Sequence, residues 1–191
     1  MSSLAFTQTA LAAALARGVR QCVVIGSRCP LGEVCQSDPD HRLQMFAVDE
    51  EPLFNAGATF VPTQFASEAL ATALAKSDFD KRKASLFVWL GDTGYRTVDA
   101  ALASLAFMAS LPRGSGVVFD YAVERTSPGL RTHTALDALA SRLVMVGGSI
   151  KHLIHPPAVA AMLRSLGFQK IVDRAQEEQP VSGRHLVSAV I

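Results

Sequence analysis

Residues 21–26 read Gln-Cys-Val-Val-Ile-Gly, and residues 43–49 read Leu-Gln-Met-Phe-Ala-Val-Asp. Each is a short, nearly unbroken apolar run that ends on a turn-forming residue, Gly26 in one and Asp49 in the other. An apolar run of this length without alternation suits a parallel strand covered on both faces. Working outward, Thr59–Pro62, Ala84–Leu90 and Gly116–Tyr121 repeat the pattern, and the almost wholly apolar Ala84–Leu90 run belongs at the centre of the sheet. Helical patterns lie between them. Ser3–Ala16 carries Leu4, Leu11 and Leu15 as its stripe and stops at Gly18. Phe65–Lys76 presents Phe65, Leu70 and Leu74, and Val98–Ser110 turns Leu102, Leu105 and Met108 or Ala109 inward before Pro112 and Gly114 break it.

Repeated alternation of strand and helix predicts an α/β fold with a doubly wound, mostly parallel sheet. The chain ends differently. Pro156 and Pro157 open a helix that stops at Gly167, and two strands, Phe168–Arg174 and His185–Val190, follow with only the polar turn 176–183 between them. That order predicts an antiparallel C-terminal hairpin. Residues 122–155 read as an insertion, polar from Ala122 to His133 and helical around Ala135–Leu143, within a single domain spanning 1–191.

Composition bounds the chemistry. With 191 residues, roughly 70% of the unfolded chain's surface is buried on folding, enough for a core without disulfides or a structural metal. A hydrophobic fraction of 49% against 18% charged excludes a disordered chain. Lys plus Arg is 18 and Asp plus Glu is 17, so there is no basic excess of the kind a nucleic-acid-binding surface needs. Cys22, Cys29 and Cys35 are odd in number and form no CxxC pair, which points to reduced thiols in the cytoplasm and to no metal site. The alanine-rich start has no basic residue ahead of it, and Arg17 and Arg20 follow it instead of a cleavage site. No apolar run reaches the ~18 residues that span a bilayer, so a cytoplasmic chain with no membrane partner is expected.

Open parallel sheets bind ligands beyond the carboxyl ends of their strands, where the strand order reverses. An acidic residue about twenty positions past the glycine turn accepts hydrogen bonds from both ribose hydroxyls of a nucleotide, and Asp49 stands at that spacing from Gly26. The spacing fits nicotinamide cofactors and S-adenosylmethionine equally, and Asp49 reads either as a ribose anchor or as a solvated carboxylate ending a strand. The loop Ile25–Gly32 lacks GxGxxG, with Arg28 where a second glycine would let backbone approach a ligand. Asp120 and Tyr121 read as structural, Asp120 capping a turn or pairing with an arginine and Tyr121 packing on a loop. His133, His152 and His155 fall where acceptors bind in such folds, and each reads either as a general base or as a solvated or core histidine. Trp89 reads as core, and Glu177–Glu178 as a solvated pair. No catalytic residue is singled out.

Several stretches, taken in order, carry a resemblance. They are Arg17–Gly26 (RGVRQCVVIG), Phe46–Asp49 (FAVD), Phe60–Pro62 with Phe65, Phe87–Tyr95 (FVWLGDTGY), Gly114–Tyr121 (GSGVVFDY) and Leu166–Phe168 (LGF). In them the chain resembles the leucine carboxyl methyltransferase-like group of S-adenosylmethionine-dependent O-methyltransferases. The resemblance covers most of the chain and implies a class I methyltransferase Rossmann-like fold and S-adenosylmethionine as cofactor. Carried over position by position, the cofactor would lie along Gly26, Ser27, Arg28, Asp49, Gln64, Leu90 and Gly91. The departures fall in the same places. Ser27, Arg28, Pro30, Leu31 and Gly32 replace most of the family's Gly-Ala-Gly-x-Asp-Thr-Arg loop, whose arginine grips the methionine carboxylate. Ala47 stands for a Glu and Gln64 for the Asp that meets the adenine amine. Leu90 replaces an acid, with Asp92 two positions on, and Gly147-Gly148-Ser149 replaces Gly-Glu-Pro. With the first strand opening so near the start of the sequence, the family's N-terminal helices that cover the cofactor are expected to be missing, and the resemblance is that of a truncated and divergent member. Losing two or three charge-assisted hydrogen bonds of about 1.5–3 kcal/mol each corresponds to roughly a thousandfold weaker binding.

Two functions of different class follow as expectations. One is an S-adenosylmethionine-dependent O-methyltransferase acting on a carboxylate or hydroxyl of a small molecule or peptide. The other is a non-catalytic, degenerate methyltransferase-like subunit that binds a partner protein, or pairs with itself as a homodimer through the uncovered apolar face. A nicotinamide oxidoreductase is disfavoured by the missing glycine pattern and by the terminal hairpin.

Overall fold

A computed structural model describes residues 2–26, 43–52, 57–65, 67–91, 98–123, 156–176 and 183–191. Seven strands form one sheet: β1 (Gln21–Ile25), β2 (Gln44–Asp49), β3 (Ala58–Pro62), β4 (Ser85–Trp89), β5 (Gly116–Val123), β6 (Lys170–Ala175) and β7 (Gly183–Val190). The described helices are α1 (Ser3–Ala16), α2 (Leu70–Leu74), α3 (Val98–Ala109) and α4 (Pro156–Ser165). The spatial order is β3-β2-β1-β4-β5-β7-β6, so β4 is central, as its apolar sequence demands. Pairing is parallel from β3 through β5, and β7 runs antiparallel to both β5 and β6. Strand order reverses between β1 and β4, where Ile25 lies beside Val48 on one side and Trp89 on the other.

The strands form because their residues have two faces to fill. Val23, Ile25, Phe46, Val48, Phe87, Val117 and Phe119 pack on the α2–α3–α4 side, in a core that includes Leu70, Leu74, Leu105, Met108 and Leu163. Cys22, Val24, Met45, Ala47, Leu86, Val88 and Val118 pack on the other side, under Phe6, Leu11 and Ala14 of α1. Phe79 sits edge-on to Phe46, with Phe87 and Phe107 completing the aromatic group. At the amino ends of the strands, the buried Gln21 amide donates to the Asp80 carbonyl and the Ser85 hydroxyl and accepts from the Asp80 N–H, tying β1 to β4.

The helix ends follow local chemistry. Ser2 Oγ accepts from the Ala5 N–H and caps α1. At its other end Val19 N–H reaches the Ala14 carbonyl and Gly18 N–H that of Leu15, the paired bonds of a Schellman stop. Phe168 and Gly167 close α4 in the same way on Leu163 and Arg164.

Three expectations need correction. The helix expected over Phe65–Lys76 is confined to Leu70–Leu74. The Ser67 and Glu68 amides both bond back to the Gln64 carbonyl, and the extended Ala69 (φ −74°, ψ 141°) separates that turn from the helix. Phe65, Leu70 and Leu74 are buried all the same. In α1, Leu11 is buried, but Leu4 and Leu15 are only half-buried, and Phe6, Thr7 and Ala14 face inward. With alanine and leucine on every side the helix has no preferred phase, and the sheet takes the side that bears the phenylalanine. Lastly, Ala122 and Val123 belong to β5, because β7 keeps pairing with it out to Gly183. The rest of the expected insertion, with its helix around Ala135–Leu143, lies outside the described residues. No described helix is long and apolar enough to cross a membrane.

Candidate functional site

The carboxyl ends of β2, β1, β4 and β5 lie side by side. Ile25 is in register with Val48 and Trp89, and Trp89 with Phe119, so the next residues, Asp49, Gly26, Leu90 and Asp120, stand level along one edge of the sheet. The strand sequences produce this edge. Each apolar run stops where its residues cease to have a core to fill, and the polar or turn-forming residue that follows falls on the rim.

Asp49 is the most telling residue on it. The residue is 8% exposed. One oxygen, Oδ1, accepts the Glu50 N–H at 2.6 Å and, at 3.5 Å, that of Glu51. The other, Oδ2, is buried and has no hydrogen-bond partner among the described residues. An unpaired buried carboxylate oxygen costs on the order of 1–3 kcal/mol or more, so folds keep one only where something else satisfies it.

Beside it, Gly26 and Gly91 turn the chain off β1 and β4 with φ of +85° and +83°, a conformation that side-chain-bearing residues rarely adopt. The Gly26 N–H donates to the Val48 carbonyl at 3.0 Å. The Gly91 N–H donates to Asp120 Oδ1 at 2.7 Å, and Asp120 Oδ2 takes Arg184 Nη1 at 2.7 Å. The structural reading of Asp120, a cap and an arginine partner at once, is what the structure shows. Leu90 is buried in the α1-side core, so only its backbone faces the rim. Gln64 is exposed two residues past β3, where its Oε1 accepts the Ser67 hydroxyl at 3.3 Å. The structure therefore brings Gly26, Asp49, Leu90 and Gly91 together on adjacent strand tips and leaves Gln64 on the outer flank. Ser27, Arg28, His133, His152, His155, Cys29, Cys35 and the Glu177–Glu178 pair lie outside the described residues. Trp89 is half-buried and packs 6.4 Å from Phe119, as a core residue does.

A second polar group sits further along the same edge, on the opposite face of the sheet. The Tyr121 hydroxyl donates to Asp173 Oδ2, and Asp173 Oδ1 holds His185 Nδ1 at 2.6 Å. Among the described residues Tyr121 is engaged by β6 and β7, and the loop it was expected to pack on lies outside them. Burial, with the Asp173 carboxylate beside it, holds the phenol well above the ordinary tyrosine range. Sequence reasoning passed over Asp173, Arg184 and His185. Only the pairing of Tyr121 with His185, and of β6 with β7, makes them neighbours. The one signal available was polar residues at positions where neighbouring residues of the same strands face a core.

Among the described residues no group of three His, Cys, Asp or Glu side chains is placed to hold a metal. Two clefts of about 200 and 270 Å³ flank α2, the first lined by residues such as Phe65, Ser104 and Phe107 and the second by Leu74, Phe79 and Phe107, and neither is lined by the residues of the strand tips.

No family model matches the sequence, and no curated protein matches it. Solved structures do match. A SAM-dependent methyltransferase from Archaeoglobus fulgidus aligns with a TM-score of 0.60 at 13% identity, over 98% of this chain and 94% of that one. The 1,6-didemethyltoxoflavin-N1-methyltransferase of Burkholderia thailandensis, solved with S-adenosylhomocysteine, gives 0.61 at 14% identity over 98% and 77%. Human N-acetylserotonin methyltransferase, solved with SAM, gives 0.55 at 12% identity, and this chain spans 51% of its length. At such identities the likeness is one of fold. The seven-stranded sheet with its reversed β7, the strand order and these neighbours together establish the class I methyltransferase fold, with Asp49 at the tip of its second strand.

Proposed function

We propose that this chain is an S-adenosylmethionine-dependent methyltransferase that modifies an oxygen, a carboxylate or a hydroxyl, on a small molecule or a protein, as the leucine carboxyl methyltransferase-like group does. One observation carries the reading. Asp49 Oδ2 is a buried acceptor left open on the edge where an α/β sheet holds its ligand, next to the reversal between β1 and β4.

A ribose supplies two hydroxyl donors, the chemistry that a half-satisfied carboxylate lacks. Asp49 would anchor that sugar, while the turns at Gly26 and Gly91, with no side chain of their own, let a ligand lie close against the backbone. Ser27, Arg28 and Gln64 complete the expected set. When bound, the cofactor supplies a methyl group activated by a positively charged sulfur. The chain's own task is to hold that group and an acceptor in line and to keep water away, and such positioning is the larger part of the acceleration available here.

The second reading, a binding module without catalysis, draws on the internal engagement of two polar groups. The Gly91 N–H is taken by Asp120 and the Gln64 amide oxygen by Ser67. Calorimetry with S-adenosylmethionine and S-adenosylhomocysteine separates the two. Micromolar binding that falls at least tenfold in Asp49→Asn supports the enzyme. A blank at millimolar ligand overturns it and leaves the module, whose partner would be a protein or a second copy of the chain.

A further inference from the structure

We propose that His185 is the general base of this methyltransferase and that its acceptor is therefore a hydroxyl and not a carboxylate, an inference that rests on the function proposed above. A carboxylate is already ionised at neutral pH and needs no base. A hydroxyl must lose its proton as it is methylated, so a chain built for hydroxyls needs a proton acceptor beside the acceptor site.

The structure supplies one outside the Asp49 group. His185, the third residue of β7, lies directly opposite Tyr121 on β5, one residue past the level of Asp120, and so at the same edge of the sheet as the candidate cofactor site, on the opposite face. Two strand spacings, roughly 10 Å, separate β7 from the tip of β4, a gap that an acceptor molecule lying between them can span.

Its imidazole is oriented as a base must be. Nδ1 faces Asp173 Oδ1 at 2.6 Å, a contact that a neutral ring makes by donating from Nδ1, which places the lone pair on Nε2. Nε2 has no described partner, and the side chain is 22% exposed, so it is reachable. Asp173 is held in turn by the buried Tyr121 hydroxyl on its other oxygen, which leaves the carboxylate little freedom to turn away. A line of packed rings, Trp89 to Phe119 to Tyr121 to His185 at 6.4, 6.1 and 5.6 Å, runs from the end of β4 to the imidazole, so its inner side is apolar and aromatic. The nearby cation, Arg184, is paired with Asp120 and does not compete for Asp173.

In the transfer, the acceptor oxygen bonds to the methyl carbon as its O–H bond breaks. The proton goes to His185 Nε2, and the electron pair of the breaking carbon–sulfur bond stays on sulfur, leaving a neutral thioether. Asp173 stabilises the imidazolium until it returns its proton to water.

The test has an arm independent of turnover. In ¹⁵N-histidine-labelled protein, assigned by comparison with His185→Asn, the ring is expected in the Nδ1–H form with a bare Nε2, and Asp173→Asn is expected to release that preference. In the second arm, labelled S-adenosylmethionine is offered with a panel of phenols and carboxylic acids. Methylation of a phenol is expected, with kcat falling at least a hundredfold in His185→Asn while KM and S-adenosylhomocysteine affinity stay within about twofold. A purely structural role for the cluster would not separate kcat from binding in this way. An Nε2–H ring, or methylation confined to carboxylic acids and indifferent to His185→Asn, overturns the assignment while leaving the cofactor site intact. Failure of the wild type to bind either cofactor form is a different outcome: it removes the Asp49 reading, and the base falls with it.

Discussion

The two ends of the sheet's carboxyl edge treat their carboxylates differently. Over β5, β6 and β7 the acids are fully engaged. Asp120 takes the Gly91 N–H and Arg184, and Asp173 takes Tyr121 and His185. Over β2 and β1, Asp49 is more deeply buried than Asp173 but only half satisfied, its Oδ2 facing no described partner. Burial alone therefore does not distinguish a structural acid from a binding one. The count of partners does: Asp120 and Asp173 are paired within the fold, whereas the open Asp49 Oδ2 leaves an acceptor for the donor that the proposed ligand would bring.

Removing what both regions share should have the largest effect. Phe87→Ala, in the fully buried centre of β4, should cost about 3–5 kcal/mol in urea unfolding and weaken both ends together. Asp173→Ala strips two partners at once on the engaged side and should cost about 2–3 kcal/mol, measured in the same way, without changing cofactor affinity. Alkaline pH probes that side more gently. The Tyr121 phenol is held above its usual value of 10.0, so the folded chain keeps a proton that the unfolded chain loses as pH passes 10. The unfolded state gains, and stability should fall by roughly 1 kcal/mol between pH 10 and 11 through this group, a component missing from Tyr121→Phe. The smallest stability effect should come from the open side. Asp49→Asn trades a half-satisfied buried charge for a neutral amide and should leave unfolding within about 0.5 kcal/mol or improve it, while cofactor binding drops. If Asp49→Asn instead destabilises as Asp173→Ala does, the contrast fails and Asp49 is structural.

Most of the architecture was legible in the sequence. The runs at 21–26, 84–90 and 116–121 are largely apolar on consecutive residues, a pattern that suits a strand covered on both faces, and the reversed C-terminal strand follows from two strands with no helix between them. The place of Asp49 was legible too, since it ends the second apolar run, level with Gly26 at the tip of the neighbouring strand. What misled was local. Ser67, Glu68 and Ala69 do not break a helical pattern by type, yet the bonds to the Gln64 carbonyl and the extended Ala69 end the turn there. The alanines and small polar residues around Leu4 and Leu15 gave no phase to α1.

The order of apolar runs and the turn residues that close them are properties of the chain itself, because hydrophobic burial and backbone geometry act on neighbours in sequence. These set the α/β class, the place of β4 at the centre and the acid at the end of β2. Which acids end up paired is a property of the packed molecule. Asp120 meets Arg184 across 64 residues and Tyr121 meets Asp173 across 52, contacts that exist only once β7 has inserted between β5 and β6. Hydrogen bonds depend on ångström-scale placement, and only the assembled sheet supplies it.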